Sequence, residues 1–350
     1  MRVILINSTK FNNHHGCELV SIQIKKFLRS YKIKLINECY NFETYSQIVK
    51  KIQNSSFDLA IVNGEGTMHD CQQQSITLLN VAEYINLYLK KKIILFNASI
   101  ENMDKEIHKF KNFSKIYVRD LDSHNYLKSK KYKSKFNSDM LITYQIKENL
   151  KKKLKNKFKD VKNSILINDS VSVSLTKSLI EFSKNKKLCF LTIRTSPRLK
   201  IWFANCAIKY KILNTFYLAI FYSYKIFKLR ISKKNSFIDF FQYYENNTKK
   251  YLYKILSSEF VLTARYHQLI LCLVFNKPFL ALDSITSKNS SLLKDLGMSK
   301  RKINENDLKN IQLAKFSNFS QMEIKNINAY KNESIKKINR MFLEFKKIKV

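Results

Sequence analysis

The sequence predicts an α/β protein built from two parallel-sheet domains, and three observations support this prediction. The chain has 350 residues, whereas a single hydrophobic core tends to stop growing near about 250 residues. Hydrophobic residues make up 45% of the chain and charged residues 26%, which is typical of a globular protein and not of a disordered one. Short runs rich in Ile, Val, Leu and Phe alternate with stretches of helical spacing, as in sheets of parallel strands joined by crossover helices.

The first half of the chain carries this alternation most regularly. The predicted strands are 2–7, 32–37, 58–62, 92–96, 115–118 and 140–143, and the predicted helices are 18–29, 44–53, 75–89 and 123–130. Strands this short and this apolar are expected where both faces of a sheet are covered. We therefore predict an N-terminal Rossmann-like domain over 1–146, followed by a Lys-rich linker at 147–163.

The strand pattern restarts in the second half. The predicted strands are 164–168, 188–193, 260–263 and 279–282, so that 164–323 form a second Rossmann-like domain. Residues 324–350 contain apolar positions at helical spacing, which predicts a C-terminal helix that docks back on the protein. The two domains are expected to face each other across a cleft, with ligands at the carboxyl ends of the strands.

The chain is strongly basic, with a net charge of +37. The excess is almost entirely Lys, 55 residues against 9 Arg. Codon bias and an anionic partner are therefore equally good explanations of the positive charge. Nucleic-acid binding is not expected, because no recognisable binding module accompanies the charge.

A basic and aromatic segment, 198–231, interrupts the second domain. Its longest stretch without a charge is 212–224, shorter than the ~17 residues that span a bilayer. Two interpretations remain: a helix pair packed on the second domain, or an amphipathic element on an anionic membrane surface.

The six cysteines form no paired spacing, which indicates neither a disulfide scaffold nor a zinc motif and favours a reducing compartment. The apolar run 3–6 is too short for a signal peptide. We therefore expect a cytoplasmic protein, with the inner face of the cytoplasmic membrane as the place where segment 198–231 would attach.

Glycine is rare in this chain, with only four residues, so each one indicates a position where a side chain is not tolerated. Two of them follow the predicted strand 58–62 in the sequence VNGEGTMH. A glycine turn at a strand end would bring backbone N–H groups and polar side chains to the cleft, although tight turns also occur for structural reasons alone. The candidate residues are Asn63, Gly64, Glu65, Gly66, Thr67 and His69.

A third glycine, Gly16, opens the first helix in the sequence NNHHGCE. Glu18 in the first turn would suit a substrate that carries hydroxyl groups. His14 and His15 are metal-ligand types, but no third ligand has suitable spacing, so no metal is expected.

The sequence TARYH at 263–267 follows a predicted strand and leads into an apolar helix. Arg265 at the strand tip would favour an anion, unless it forms a structural salt bridge, and His267 could act as a general acid or base near neutral pH. Ser287 and Lys288 follow the next strand and would reach the same rim. An acidic donor substrate is therefore expected.

These motifs, taken in order, resemble the polysaccharide pyruvyl transferases. The matching elements are NGEGT (63–67), YVRD (117–120) with Ser123 and Leu127, SD (138–139), TARYH (263–267), KPF (277–279), Ser287-x-x-Ser290 with Lys288, and DLG (295–297). They cover roughly 1–145 and 255–300. The resemblance implies a GT-B-like fold and the transfer of a pyruvyl group from phosphoenolpyruvate, a donor substrate with no further cofactor, to sugar hydroxyls as a ketal.

The resemblance also implies roles for single residues. Arg265 and His267 match an Arg-x-His element in which Arg holds the donor and His assists proton transfer, and Arg119 matches an arginine that shapes the cleft. The first loop departs from the family's Asn-x-Gly-Asp, so the acceptor side is left undefined. Arg265, His267 and Lys288 would serve the donor, and Glu65, His69 or Glu18 would serve a saccharide acceptor, lipid-linked or free.

Two other functions stay open on sequence grounds. A GT-B glycosyltransferase would use the same cations on a CMP- or UDP-type nucleotide sugar in surface glycan synthesis, because a fold does not determine its chemistry. A binding protein for membranes or nucleic acid, on a decayed enzyme fold, would explain the Lys excess.

Overall fold

A computed structural model describes residues 1–146, 148–149, 152, 165–195 and 245–348. The predicted basic segment 198–231 and most of the predicted linker 147–163 lie outside these residues. Within the described ranges, none of the helices is long and apolar enough to cross a membrane.

The N-terminal sheet has six parallel strands in the order β2-β1-β3-β4-β5-β6. Its core follows from the apolar runs of the sequence: all four residues from Val3 to Ile6 in β1 are fully buried, as expected for a strand covered on both faces. The elements are β1 Arg2–Ser8, α1 His15–Ser30, β2 Lys34–Tyr40, α2 Tyr45–Gln53, β3 Leu59–His69, α3 Gln73–Glu83, a π-helix Tyr84–Tyr88, β4 Lys92–Glu101, a 3₁₀ helix Asp104–Asn112, β5 Lys115–Val118, α4 Leu121–Ser129, β6 Lys135–Phe136 and a 3₁₀ helix Met140–Thr143.

The second sheet has four parallel strands in the order β10-β9-β7-β8. The elements are β7 Ile165–Asn168, α5 Val173–Asn185, β8 Cys189–Leu191, α6 Thr248–Ser257, β9 Phe260–Thr263, α7 Tyr266–Phe275, β10 Phe279–Ala281, α8 Lys288–Asp295, three short 3₁₀ turns (Ser299–Arg301, Glu305–Lys309, Leu313–Phe316) and α9 Gln321–Lys346. The predicted fold class, two parallel α/β sheets, is confirmed.

The C-terminal helix α9 docks back on the N-terminal sheet, as predicted. Ser320 begins it with a capping box, in which its hydroxyl accepts from the Glu323 N–H. Near the other end, Phe342 packs against Phe27 and Phe96 at ring-centroid distances of 5.1 and 6.4 Å. The helix therefore joins the C-terminal domain to the opposite lobe through an aromatic core.

The prediction of a strand at 140–143 is wrong. These residues form a 3₁₀ helix, and the sixth strand of the sheet is Lys135–Phe136. Asp139 begins the helix by accepting the Leu141 N–H at 2.8 Å, and the Thr143 hydroxyl donates to the Met140 carbonyl at 2.7 Å. All four residues of the turn are buried, so their apolar character reflects burial and not a strand.

The predicted turn at Gly64 and Gly66 is also wrong, because β3 continues through both glycines to His69. The strand instead has a register irregularity between Glu65 and Met68, and Glu65 has a positive φ of 38°. A Cβ on Gly64 would lie 2.4 Å from the Ala98 Cβ, so glycine is required here for close approach of β4.

Candidate functional site

The two domains meet where the N-terminus of α1 contacts the second sheet. The His15 N–H donates to the Ile193 carbonyl at 3.0 Å, and the Thr195 N–H donates to the Asn13 carbonyl at 3.0 Å. The His15 ring stacks on Tyr251 at 4.2 Å. The cleft between the domains is therefore closed at this end by direct contact, and its polar residues lie beside that contact.

Glu65 is a buried carboxylate on the N-terminal side of the cleft. Its Oε1 accepts from the Thr9 hydroxyl at 2.5 Å and from the Asn63 amide at 2.8 Å, and its Oε2 accepts from the Cys17 thiol at 3.3 Å. Burial, and next the charge of Glu65, raises the pKa of Cys17 well above its ordinary value. The thiol therefore stays protonated beside the carboxylate.

Asp139 connects two cationic or ionisable groups of the site. It is fully buried, and its Oδ2 accepts from Arg119 Nη1 at 2.6 Å and lies 3.6 Å from His267 Nε2. Burial alone would raise the pKa of Asp139, but the neighbouring His267 and Arg119 hold it well below its usual range. Asp139 is therefore an anion that orients Arg119 from β5 and faces His267 from α7.

Ser99 and Tyr266 hold the Arg119 guanidinium, in addition to Asp139. Its Nε donates to the Ser99 hydroxyl at 2.8 Å, and its guanidinium lies 4.4 Å from the centre of the Tyr266 ring. A Cβ on Gly66 would lie 3.6 Å from Arg119 Nη2 and 3.3 Å from Lys288 Nζ. Gly66 thus allows β3 to pass close to two cationic side chains, which both face this position of the strand.

Lys288, the first residue of α8, belongs to both the cleft and a neighbouring cavity. Burial, and next the charge of Arg119, lowers the pKa of Lys288 to about 8. The cavity has a volume of about 180 Å³, and its lining is rich in hydroxyl and carboxyl groups. The lining residues are Ser99, Ile100, Glu101, Asn102, Asp120, Asp122, Ser123, Tyr126, Ser287, Lys288 and Ser291. Glu65 and His267 are outside this lining, so the cavity adjoins the polar cluster through Ser99 and Lys288.

His267 is brought against α1 by a close approach. A Cβ on Gly16 would lie 2.4 Å from the His267 Cβ and 2.7 Å from its Nδ1. The His14 ring is 5.5 Å from the His267 ring, edge to face. Gly16 therefore brings together residues of the two domains that the sequence analysis treated as separate candidates.

Arg265 begins α7 from the N-cap position, and its guanidinium is engaged within the second domain. Its Nε donates to Asp169 Oδ2 at 3.0 Å, and its Nη2 also contacts that oxygen. Both side chains are buried. This pair matches the structural salt bridge that the sequence analysis named as the alternative for Arg265.

The remaining sequence candidates occupy different positions. Glu18 accepts from the Thr248 hydroxyl at 2.6 Å and so joins the two domains, whereas His69 contacts Asp70 at 2.8 Å beyond the glycines of β3. Asn63 and Thr67 lie at the base of the cleft. The Asn7 side-chain amide donates to the backbone carbonyl of Asn63 and to the hydroxyl of Thr67. Ser287 is the exposed N-cap of α8.

Sequence reasoning missed four residues of the cluster as site residues: His14, Cys17, Asp139 and Asp169. Asp139 directly precedes the apolar run 140–143, and Asp169 directly follows the strand Ile165–Asn168, so both lie next to apolar runs, where carboxylates could have been searched for. Cys17 carried no pairing signal, because its partners Glu65 and His267 are distant in sequence.

Comparisons with known proteins place the chain in a family of transferases. The model of the family "Polysaccharide pyruvyl transferase" matches residues 14–285. No curated protein matches the sequence significantly.

Among solved structures, UDP-GlcNAc 2-epimerase from Methanocaldococcus jannaschii, in complex with UDP-GlcNAc and UDP, is 11% identical with a TM-score of 0.53. That similarity covers 95% of this chain and 92% of the epimerase. UDP-GlcNAc 2-epimerase from Neisseria meningitidis, bound to UDP-GlcNAc, is 12% identical with a TM-score of 0.53 and covers 96% of this chain and 100% of its own. These similarities show the two-domain GT-B-like fold. The family model, which matches more than half of the chain, shows that the chain belongs to the polysaccharide pyruvyl transferase family.

Proposed function

We propose that the protein transfers a pyruvyl group from phosphoenolpyruvate to hydroxyl groups of a saccharide and forms a ketal. The observation that carries this proposal is the position of Gly66, which lies next to Glu65 in β3 and against which two cationic atoms, Lys288 Nζ and Arg119 Nη2, both lie. The family match supports a transferase acting on polysaccharide. The donor and the ketal product are what the resemblance to this family implies, and the cations beside Gly66 support an acidic donor.

Phosphoenolpyruvate carries a phosphate and a carboxylate, so its site needs more than one cation. Arg119 Nη2 and Lys288 Nζ are the cationic atoms nearest to Gly66, and the other two nitrogens of Arg119 are already held by Ser99 and Asp139. An arginine fixed in this way binds an anion without further ordering of its side chain, which favours affinity.

The reaction needs three proton transfers. Protonation of the methylene carbon of phosphoenolpyruvate leaves an oxocarbenium-like carbon, which one sugar hydroxyl attacks as it loses its proton to a base. Inorganic phosphate then leaves with the electrons of its C–O bond, and a second hydroxyl of the same sugar attacks and loses its proton, which closes the ketal. Each step is one that positioned acids and bases accelerate.

Glu65 and His267 are the groups we assign to these proton transfers. Glu65 Oε1 is saturated by Thr9 and Asn63, whereas Oε2 has only the weak thiol donor of Cys17, so Oε2 is the atom able to take a hydroxyl proton. Asp139 faces His267 Nε2 at 3.6 Å and so orients the imidazole that we assign as the proton donor. Arg265 is assigned to holding the second domain through Asp169, and not to the donor.

The test is product analysis after incubation with phosphoenolpyruvate and a set of lipid-linked and free saccharides. We expect release of inorganic phosphate together with a saccharide product heavier by one pyruvate ketal, detected by mass spectrometry. Lys288→Met should abolish both signals, whereas Lys294→Met, an exposed position on the same helix, should leave them unchanged. Phosphate release with no pyruvylated product, or transfer from a UDP- or CMP-sugar instead, would overturn the proposal.

A further inference from the structure

His14, Cys17 and His267 form a cluster of metal-ligand types that spans both domains. Each offers one ligand atom, and these three atoms lie within 4.8 Å of one another. We propose that this cluster, completed by the carboxylate of Glu65, binds a zinc-class divalent cation between the two domains.

The local fold explains how the three residues meet. His14 is the N-cap of α1, and Cys17 lies three residues further on the same turn, so both side chains project from one end of the helix. His267 is the second residue of α7 and approaches α1 directly over Gly16, where a Cβ would collide with it. Cys17 and His267 are buried, so a bound ion would be shielded from water.

One nitrogen of the buried His267 ring faces a carboxylate without a hydrogen bond to it, and the other nitrogen is the one we assign to the ion. His267 Nε2 is buried and has no hydrogen-bond partner among the described residues, and the side chain is nine-tenths buried. Nδ1 is the nitrogen that lies against Gly16, while Nε2 faces Asp139 at 3.6 Å. Coordination through Nδ1 would give Nε2–H a carboxylate to donate to, the arrangement by which metal-ligating histidines are usually oriented.

Glu65 supplies a fourth ligand. Its Oε2 accepts from the Cys17 thiol at 3.3 Å, while Oε1 is held by Thr9 and Asn63. When the thiol loses its proton to solvent and binds the cation as a thiolate, Oε2 is freed from that hydrogen bond and can turn to the same ion.

The donor set selects the metal. Two imidazoles, one thiolate and one carboxylate match the ligands of Zn²⁺, whereas Mg²⁺ and Ca²⁺ prefer oxygen ligands alone. His14 Nδ1 accepts from the Cys17 N–H at 3.2 Å, so its Nε2 is the nitrogen available for the ion. Binding there moves the ring proton to Nδ1 and gives up this single cap bond.

This inference goes beyond the proposed function, although the two share His267 and Glu65. An ion that occupies His267 withholds it from proton transfer, so metal-loaded protein is expected to transfer pyruvyl groups more slowly than metal-free protein. The metal binding itself does not depend on the identity of the donor, so either proposal can fail without the other.

The test uses the full chain without a polyhistidine tag, freed of metal by a chelator and titrated with Co²⁺. We expect one equivalent to bind with a thiolate-to-cobalt charge-transfer band in the near ultraviolet, and an equivalent of Zn²⁺ to remove that band. Cys17→Ser should abolish the band and His14→Asn should weaken binding at least ~10-fold. Cys71→Ser and His108→Asn, outside the cluster, should behave as the wild type, and circular dichroism of each variant checks its fold.

The titration of the wild type decides the proposal even if a variant fails to fold. The proposal is overturned if Co²⁺ binds without a thiolate band, or if more than one equivalent binds with no break in the titration curve. It is also overturned if Cys71→Ser removes the band and Cys17→Ser retains it. Elemental analysis of the protein after dialysis against Zn²⁺ gives the same stoichiometry without a chromophore.

Discussion

Replacing Gly16 by Ala tests the contact that brings the two domains together. The added Cβ would lie 2.4 Å from the His267 Cβ and 2.6 Å from its Cγ, whereas non-bonded carbon atoms pack at ~3.5–4.0 Å. The two atoms must therefore separate by about 1 Å or more. Either His267 turns away from its position or α1 and α7 move apart.

Two opposing effects set the magnitude for Gly16→Ala. Alanine stabilises a helix by up to about 1 kcal/mol relative to glycine, and overpacking of a well-packed site costs about 1–3 kcal/mol. If the contact exists, the variant is less stable than the wild type by up to about 2 kcal/mol. If the contact does not exist, the variant is more stable than the wild type. The sign of the change in the free energy of unfolding therefore shows whether the contact exists.

The assay is urea unfolding followed by circular dichroism, with pyruvyl transfer measured in parallel. A displacement of His267 by about 1 Å is expected to lower kcat by up to ~10²-fold. Ile22→Ala, at a position of α1 that is 47% exposed, serves as the control and should change stability by no more than about 0.5 kcal/mol. A Gly16→Ala protein as stable and as active as the wild type would refute the reasoning.

Three further predictions concern packing, the buried ion pair and donor binding. Phe342→Ala removes a fully buried ring and should cost about 3–5 kcal/mol in urea unfolding, whereas Leu343→Ala, 46% exposed, should cost far less; equal effects would show that α9 is not docked. Asp139→Asn leaves the buried Arg119 without its anion and should lower the free energy of unfolding by about 3 kcal/mol. In the same assay this loss should be smaller than the loss in Phe342→Ala. An unchanged free energy of unfolding would contradict the ion pair. Because the pKa of Lys288 is lowered to about 8, more of its amine becomes neutral as the pH rises from 7 to 9, so phosphoenolpyruvate should bind more weakly at the higher pH. Calorimetry of Lys288→Arg, whose guanidinium stays charged over this pH range, should show little of this dependence, and an equally steep dependence in that variant would exclude Lys288 as its source.

Local patterns in the sequence were sufficient for most of the fold. The strands Lys115–Val118 and Phe260–Thr263 have the same bounds in the structure as in the prediction, because short apolar runs between helical stretches have few other stable arrangements in a parallel sheet. The run at 140–143 was misassigned because a buried 3₁₀ turn and a buried strand have the same composition. Only the carboxylate of Asp139, which begins the turn, distinguishes them.

The candidate site was less predictable, because it depends on contacts between distant residues. Arg265 was expected to face the donor, but Asp169 engages it from almost a hundred residues away. Glu18 was expected to face a substrate, but Thr248 of the other domain donates to it. Neither partner can be identified from spacing along the chain, since only the packing of the two sheets brings them together.

The most direct measurement is calorimetric titration of the wild-type protein with phosphoenolpyruvate and, separately, with UDP. If the cations beside Gly66 hold an acidic donor, phosphoenolpyruvate binds at one site per chain, binding is lost in Lys288→Met and kept in Lys294→Met, and UDP produces no comparable heat. Binding of UDP with none of phosphoenolpyruvate would contradict this and would favour a nucleotide-sugar donor.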